Sequence, residues 1–146
     1  MRHLLLAGLL VAGVACGGSR PVSQSGVEDI VRDPVATFDQ IRAGAAVLSP
    51  AAARGVAPLV AARTFPGAQS PADYGLDHPL LVIAYVRAGA TVATVDIGSA
   101  NFDGHGYYAR LVGDPRVFLV LRDALVPVLT AAGIAPVPIR DTTPGS

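Results

Sequence analysis

The chain is 146 residues long, and its 11 basic and 11 acidic side chains cancel to a formal net charge of zero. Every basic residue is an arginine, tryptophan is absent, and there is one cysteine, Cys16, and one glutamate, Glu28. Nucleic acid is disfavoured as a partner, because no positive excess is available to hold it, and a Walker A lysine, a Schiff-base lysine, a disulfide framework and a thiolate metal cluster are excluded.

At the N-terminus Met1-Arg2-His3 supplies a positive start, Leu4 to Val14 is an unbroken apolar run, and Gly13-Val14-Ala15 puts small residues before Cys16. These are the three parts of a secretory signal peptide. The apolar run is about half of the roughly 20 residues that a membrane span needs. Gly13 to Cys16 resembles the lipobox of bacterial lipoproteins, although Gly13 stands where that pattern has an aliphatic residue, and ordinary cleavage after Ala15 is the alternative. An unpaired thiol at a mature N-terminus is a liability in an oxidising compartment, and a thioether to lipid removes it. Residues 1–15 are therefore expected to be a lipoprotein-type signal peptide, Cys16 the lipidated residue, and residues 16–33 a flexible tether. The expected location is outside the cytoplasm, held by palmitate-type acyl chains on the outer face of the cytoplasmic membrane or in the outer membrane.

Asp33-Pro34 and Ser49-Pro50 each read as an N-cap followed by proline at the first helical position. They predict one helix over 34–43, with Val35, Phe38 and Ile41 on one face and Gly44 closing it, and a second over 50–64, with Ala53, Val56, Val60 and Ala61 inward. Gly55 and Pro58 weaken the second helix, since proline in a helix interior costs about 3 kcal/mol. The run Ala45 to Leu48 also suits a short strand.

After a turn-rich stretch from Pro66 to Pro79 the pattern becomes alternating. Leu80 to Arg87 and Thr91 to Ile97 form one hairpin about Ala88-Gly89; Tyr107 to Val112 and Val117 to Leu121 form a second about Gly113-Asp114-Pro115-Arg116. Asp123 opens a last helix through Ala132, with Gly133 as its cap. The sum is an α+β fold, a four-stranded antiparallel β-meander with two or three short helices packed on it. It is expected as one domain over 34–134 with a loose tail over 135–146; about two thirds of the unfolded surface is buried at this size.

Ala72-Asp73-Tyr74-Gly75-Leu76-Asp77-His78-Pro79, the hairpin through Asp96-Ile97-Gly98, Gly106-Tyr107-Tyr108-Ala109-Arg110, Gly113-Asp114-Pro115 and Val117-Phe118-Leu119-Val120 follow one another in unbroken order. Together they resemble the family called domain of unknown function 4340, whose pattern has a "YGLD-x-P" turn, an alternating hairpin ending near Ile-Gly, a "YYAR"-like strand and a "V-[YF]-L-V" strand. The resemblance covers roughly residues 50–132. It departs at His78, where the family often has proline, and in the N-terminal part, which holds one unit where relatives often carry repeats. The family's members include membrane-anchored proteins encoded near gliding-motility and ABC-type export components, which is a pointer to that neighbourhood, and no catalytic residue is carried over.

Two polar groups stand out. Asp96, Asn101, Asp103 and His105 lie at or within one loop, where two carboxylates and an imidazole suit a metal or an acid–base pair; Asn-x-Asp-Gly-x-Gly is also ordinary turn chemistry, which we favour. Asp73, Asp77 and His78 form the second group, ahead of a proline that imposes extended geometry on His78. Ser99 follows Gly98 but no Gly-x-Ser-x-Gly elbow surrounds it. Tyr85, Tyr107, Tyr108, Phe102 and Phe118 suit either a binding face or a core. The expectation is a non-catalytic envelope domain, without catalytic residues or cofactors, that binds another envelope protein in a transport or motility complex. The alternative is a small hydrolase or metal-binding protein using the loop from Asp96 to His105.

Overall fold

A computed structural model describes residues 27–141. In chain order they form β1 (Glu28–Val31), a 3-10 turn (Val35–Thr37), β2 (Gln40–Ala43), β3 (Ala46–Val47), α1 (Pro50–Ala53), β4 (Leu59–Ala61) and β5 (Arg63–Phe65). A second 3-10 turn (Pro71–Tyr74) precedes β6 (Leu81–Arg87), β7 (Ala90–Ala100), β8 (Gly106–Leu111), β9 (Val117–Leu121) and α2 (Arg122–Ala131).

The alternating stretch forms the centre of the fold. In β6, Leu81, Ile83 and Tyr85 are buried and Val82 faces out, the period of two that a one-sided strand requires. Ala88 and Gly89 both take positive φ, the turn whose twist matches a two-residue hairpin, and β6 to β9 lie side by side, each antiparallel to the next. The fold is α+β and mostly antiparallel, but it is larger than a four-stranded meander. Among the described residues nine strands make two sheets: a seven-stranded sheet in the order β3-β2-β6-β7-β8-β9-β5, and a small sheet of β1 with β4.

The extra strands come from the segments expected to be helical. Over 34–43 only the 3-10 turn forms; Ile41 and Ala43 then alternate inward against Gln40 and Arg42, and the Leu48 amide donates to the Ile41 carbonyl at 2.8 Å to close a β2–β3 hairpin about Gly44. Pairing with β6 supplies these four residues with a ladder that a solitary helix turn lacks. Over 50–64 the predicted cap forms, Ser49 Oγ accepting from the Ala52 amide at 3.2 Å, but the helix stops at Ala53. A Cβ on Gly55 would sit 2.2 Å from the Ala124 carbonyl oxygen, so the chain passes tightly against α2 at this residue. Pro58 then lacks the N–H that another helical turn would need, and the chain straightens into β4 and β5.

Leu125, Val128 and Leu129 of α2 press onto the inner face of the sheet, where Ile83, Tyr85, Ile97, Tyr107 and Phe118 are buried. Each such side chain contributes about 1.5–3 kcal/mol by leaving water. The Tyr85 hydroxyl donates to the Val56 carbonyl at 2.7 Å, and burial pushes its phenol well above the ordinary value. Gly133 ends α2 with φ +74°, and the Ile134 amide donates back to the Leu129 carbonyl at 2.9 Å.

Both ends of the described chain are more engaged than expected. β1 takes up Glu28–Val31, so a flexible tether cannot run on to residue 33; residues 16–26 of that tether lie outside the described residues. The tail, expected to be loose from 135, is tied back through residue 140. The Val137 amide donates to the Tyr107 hydroxyl at 2.8 Å, Arg122 Nε donates to the Val137 carbonyl at 3.0 Å, and the Arg140 amide donates to the Asp103 carbonyl at 3.0 Å.

Candidate functional site

The five polar candidates fall at three separate places. Asp96 is not in the loop: it sits within β7, directly opposite Arg110 of β8, and points away from the core onto the outer face of the sheet. It is buried there at 8% exposure, because the segment from 66 to 80 crosses that face above it. Arg110 Nη2 donates to Asp96 Oδ2 at 3.0 Å and to the Leu76 carbonyl at 3.4 Å, so one guanidinium joins the sheet to the crossing segment. Gly98 belongs to the same contact. A Cβ there would lie 2.3 Å from the Tyr74 carbonyl oxygen, and Ser99 Oγ donates to that oxygen at 3.0 Å.

Asp103 and His105 lie in the loop between β7 and β8, where the polar atoms organise backbone. Asn101 Oδ1 accepts from the Gly106 amide at 3.0 Å, Asp103 Oδ1 accepts from the His105 amide at 2.9 Å, and Gly104 supplies a φ of +76°. The His105 amide holds the Asp103 carboxyl below its usual range. The loop is therefore an Asx-stabilised turn of the kind its composition allows.

Asp77 and His78 form the third place. Asp77 Oδ1 accepts from the His78 amide at 3.0 Å, and His78 Nδ1 lies 3.9 Å from Asp77 Oδ2 with both side chains exposed. Among the described residues no three His, Cys, Asp or Glu side chains gather at metal-ligand spacing. Cys16 lies outside the described residues.

The aromatic residues divide between two layers. Tyr85, Tyr107 and Phe118 are core, Phe102 is 79% exposed in the β7–β8 loop, and Tyr108 is half-buried on the outer face. There Tyr108 packs edge-on to Tyr74 with centroids 4.8 Å apart, Phe65 lies 5.8 Å from Tyr74, and the Tyr74 hydroxyl donates to Gln69 Oε1. This group fastens the crossing segment over β8 and β5.

One cluster escaped the sequence reading because Glu28 was assigned to the tether. Arg116 Nη1 donates to Glu28 Oε1 at 2.7 Å, its Nη2 donates to Asp114 Oδ2 at 2.7 Å, and its guanidinium lies 5.1 Å over the Phe118 ring. Thr64 donates to the second Glu28 oxygen at 2.8 Å. Arg116 holds the Asp114 carboxyl below its usual value. The sole available signal was the Asp-Pro-Arg turn, in which an acid and a base two residues apart fold onto each other.

No family model matches this chain, no curated protein matches it, and no solved structure matches it.

Proposed function

We propose that the mature protein is a lipid-anchored envelope domain that works by binding another envelope protein and carries out no chemistry of its own. The carrying observation is the use to which the polar candidates are put. Asp96 neutralises Arg110, Asn101 and Asp103 order their own loop, and Asp77 holds a neighbouring amide. A general acid or base needs a carboxylate or imidazole directed at a substrate, with a second group in reach. The carboxylates of Asp96, Asp103 and Asp77 are each engaged with the fold instead.

Two further facts fit an anchored binder. The chain that follows the tether enters the fold as β1 and is clamped to Arg116, which suits a domain held at one end. The expected tether, ten residues of Gly- and Ser-rich sequence after Cys16, would keep the domain within a few tens of Å of the bilayer by the end-to-end scaling of such chains, and so at high effective concentration for membrane partners. The resemblance to domain of unknown function 4340 points to partners in transport or motility complexes.

The test is crosslinking in native membranes beside a triple change of Asp96, Asp103 and His105 to Ala. The reading expects defined crosslinked partners and a cellular phenotype that survives the triple change once folding is matched. Loss of the phenotype with fold and crosslinks intact would make the protein an enzyme.

A further inference from the structure

The tail that returns over the end of β8 is held through its main chain. The Val137 amide donates to the Tyr107 hydroxyl at 2.8 Å, the Val137 carbonyl accepts from Arg122 Nε at 3.0 Å, and the Arg140 amide donates to the Asp103 carbonyl at 3.0 Å. Gly104 lets the tail come close, since a Cβ there would sit 2.5 Å from the Pro138 carbonyl oxygen. The receiving groups belong to the body of the fold: Tyr107 is fully buried, and the Arg122 side chain is 23% exposed. A seat that grips backbone accepts any segment able to take the same extended course.

The tail's side chains meet this seat at every third position. Ile134 and Val137 are half-buried against the core, and Arg140 comes next in the series. Three residues per turn is the period of polyproline II, which the intervening Pro136 and Pro138 favour. The first two places hold apolar side chains. The third holds an arginine, which lines an open cleft of about 330 Å³ together with Phe102. Phe102 is left 79% exposed there, so the tail fits two of its three places.

We propose that residues 134–140 are a stand-in, and that the ligand of their seat is an extended, proline-spaced segment of a partner protein with apolar residues at all three places. The inference rests on the interaction reading above and names its surface. Such a segment takes up the bonds to Tyr107, Arg122 and Asp103, and its third side chain covers Phe102. The tail competes from within the same chain, at an effective concentration that turns away weak or mismatched segments. Burial of Phe102 is what lets the right segment displace it.

The probe is a labelled heptapeptide of residues 134–140 carrying Arg140→Phe, titrated by fluorescence anisotropy against the detergent-solubilised mature chain beside the unaltered heptapeptide. The apolar peptide is expected to bind about tenfold or more tightly, the effect of burying one large side chain. Phe102→Ser in the protein is expected to erase that difference. Tyr107→Phe, which keeps the core ring and deletes only the hydroxyl, is expected to weaken both peptides about fivefold. Arg140→Phe in the protein completes the stand-in, so the apolar peptide is expected to bind about tenfold more weakly and the Val137 amide to exchange more slowly. Should Phe102→Ser or Tyr107→Phe fail to fold, hydrogen exchange of the unaltered chain serves instead: saturating apolar peptide is expected to speed the Val137 and Arg140 amides and to leave those of β7 and β8 unchanged. The inference is overturned by equal affinity for the two peptides, by a difference that survives Phe102→Ser, or by tail amides indifferent to peptide. Self-association that the apolar peptide abolishes would make the ligand the tail of a second copy, and also overturns it. Native-membrane crosslinks that persist at full yield in Arg140→Phe would sink this site while leaving the broader interaction reading standing; the lack of any crosslinked partner for the unaltered chain would sink that reading itself.

Discussion

Arg116 reaches across 88 positions of sequence to hold Glu28 at 2.7 Å, joining the first strand to the turn between β8 and β9. The two side chains are 38% and 36% exposed, so solvent screens the pair. A double-mutant cycle of Glu28→Ala and Arg116→Ala, read by urea denaturation, is expected to give a coupling of about 0.5–1 kcal/mol. A coupling of zero would mean that pairing with β4 alone holds β1.

The same guanidinium sets an acid dependence. Asp114 lies below its ordinary value of 3.8 because Arg116 donates to it, and Asp103 does so because the His105 amide donates to it. A depressed carboxylate contributes stability that is fully present above the unfolded value and is lost as pH falls through the folded one. From these groups stability should be level between pH 7 and 5 and should decline below about pH 4. Arg116→Met is expected to flatten part of that decline in urea midpoints taken at several pH values. An identical acid limb in the variant would show that Asp114 is unimportant to it.

Gly98→Ala tests the crossing segment. The added methyl would meet the Tyr74 carbonyl at 2.3 Å, a backbone atom that cannot swing aside as a side chain would. The variant is expected to lose about 1–3 kcal/mol, the usual cost of forcing a methyl group into a packed site. Hydrogen exchange should quicken selectively over residues 70–78. Unchanged exchange there would mean that the segment is held by the Arg110 and aromatic contacts alone.

Mass spectrometry of the mature protein is expected to find a lipid adduct on Cys16 as the first residue. An unmodified Cys16, or a chain retaining residues 1–15, would remove the anchor from the proposed function.

The meander was readable because its evidence is local. Leu81, Ile83 and Tyr85 alternate over enough positions to exclude a helix, and Ala88-Gly89 marks its own turn. Strands β2, β3 and β5 carry two to four residues each, too few to show a period, and Val35, Phe38 and Ile41 fit helical spacing as well as they fit anything. What makes β2 a strand is β6, some forty residues further along, and local pattern contains no trace of that pairing. Asp103 and Asn101 were correctly suspected of turn chemistry because Asx residues act on amides within a few positions. Asp96 and Glu28 were misjudged because their partners, Arg110 and Arg116, are set by register and topology.

Strand β8 also fixes how the two ends of the body are disposed. The chain enters at Glu28 beside Arg116, just past the far end of β8, and its last described stretch leaves beside Asp103 and Tyr107 at the near end. Six residues of strand separate these points, about 20 Å at the ordinary rise. Entry and exit are thus antipodal along that strand. Under the proposed anchoring, Arg140, tied to Asp103, stands at the end of β8 away from the side on which the chain enters the fold.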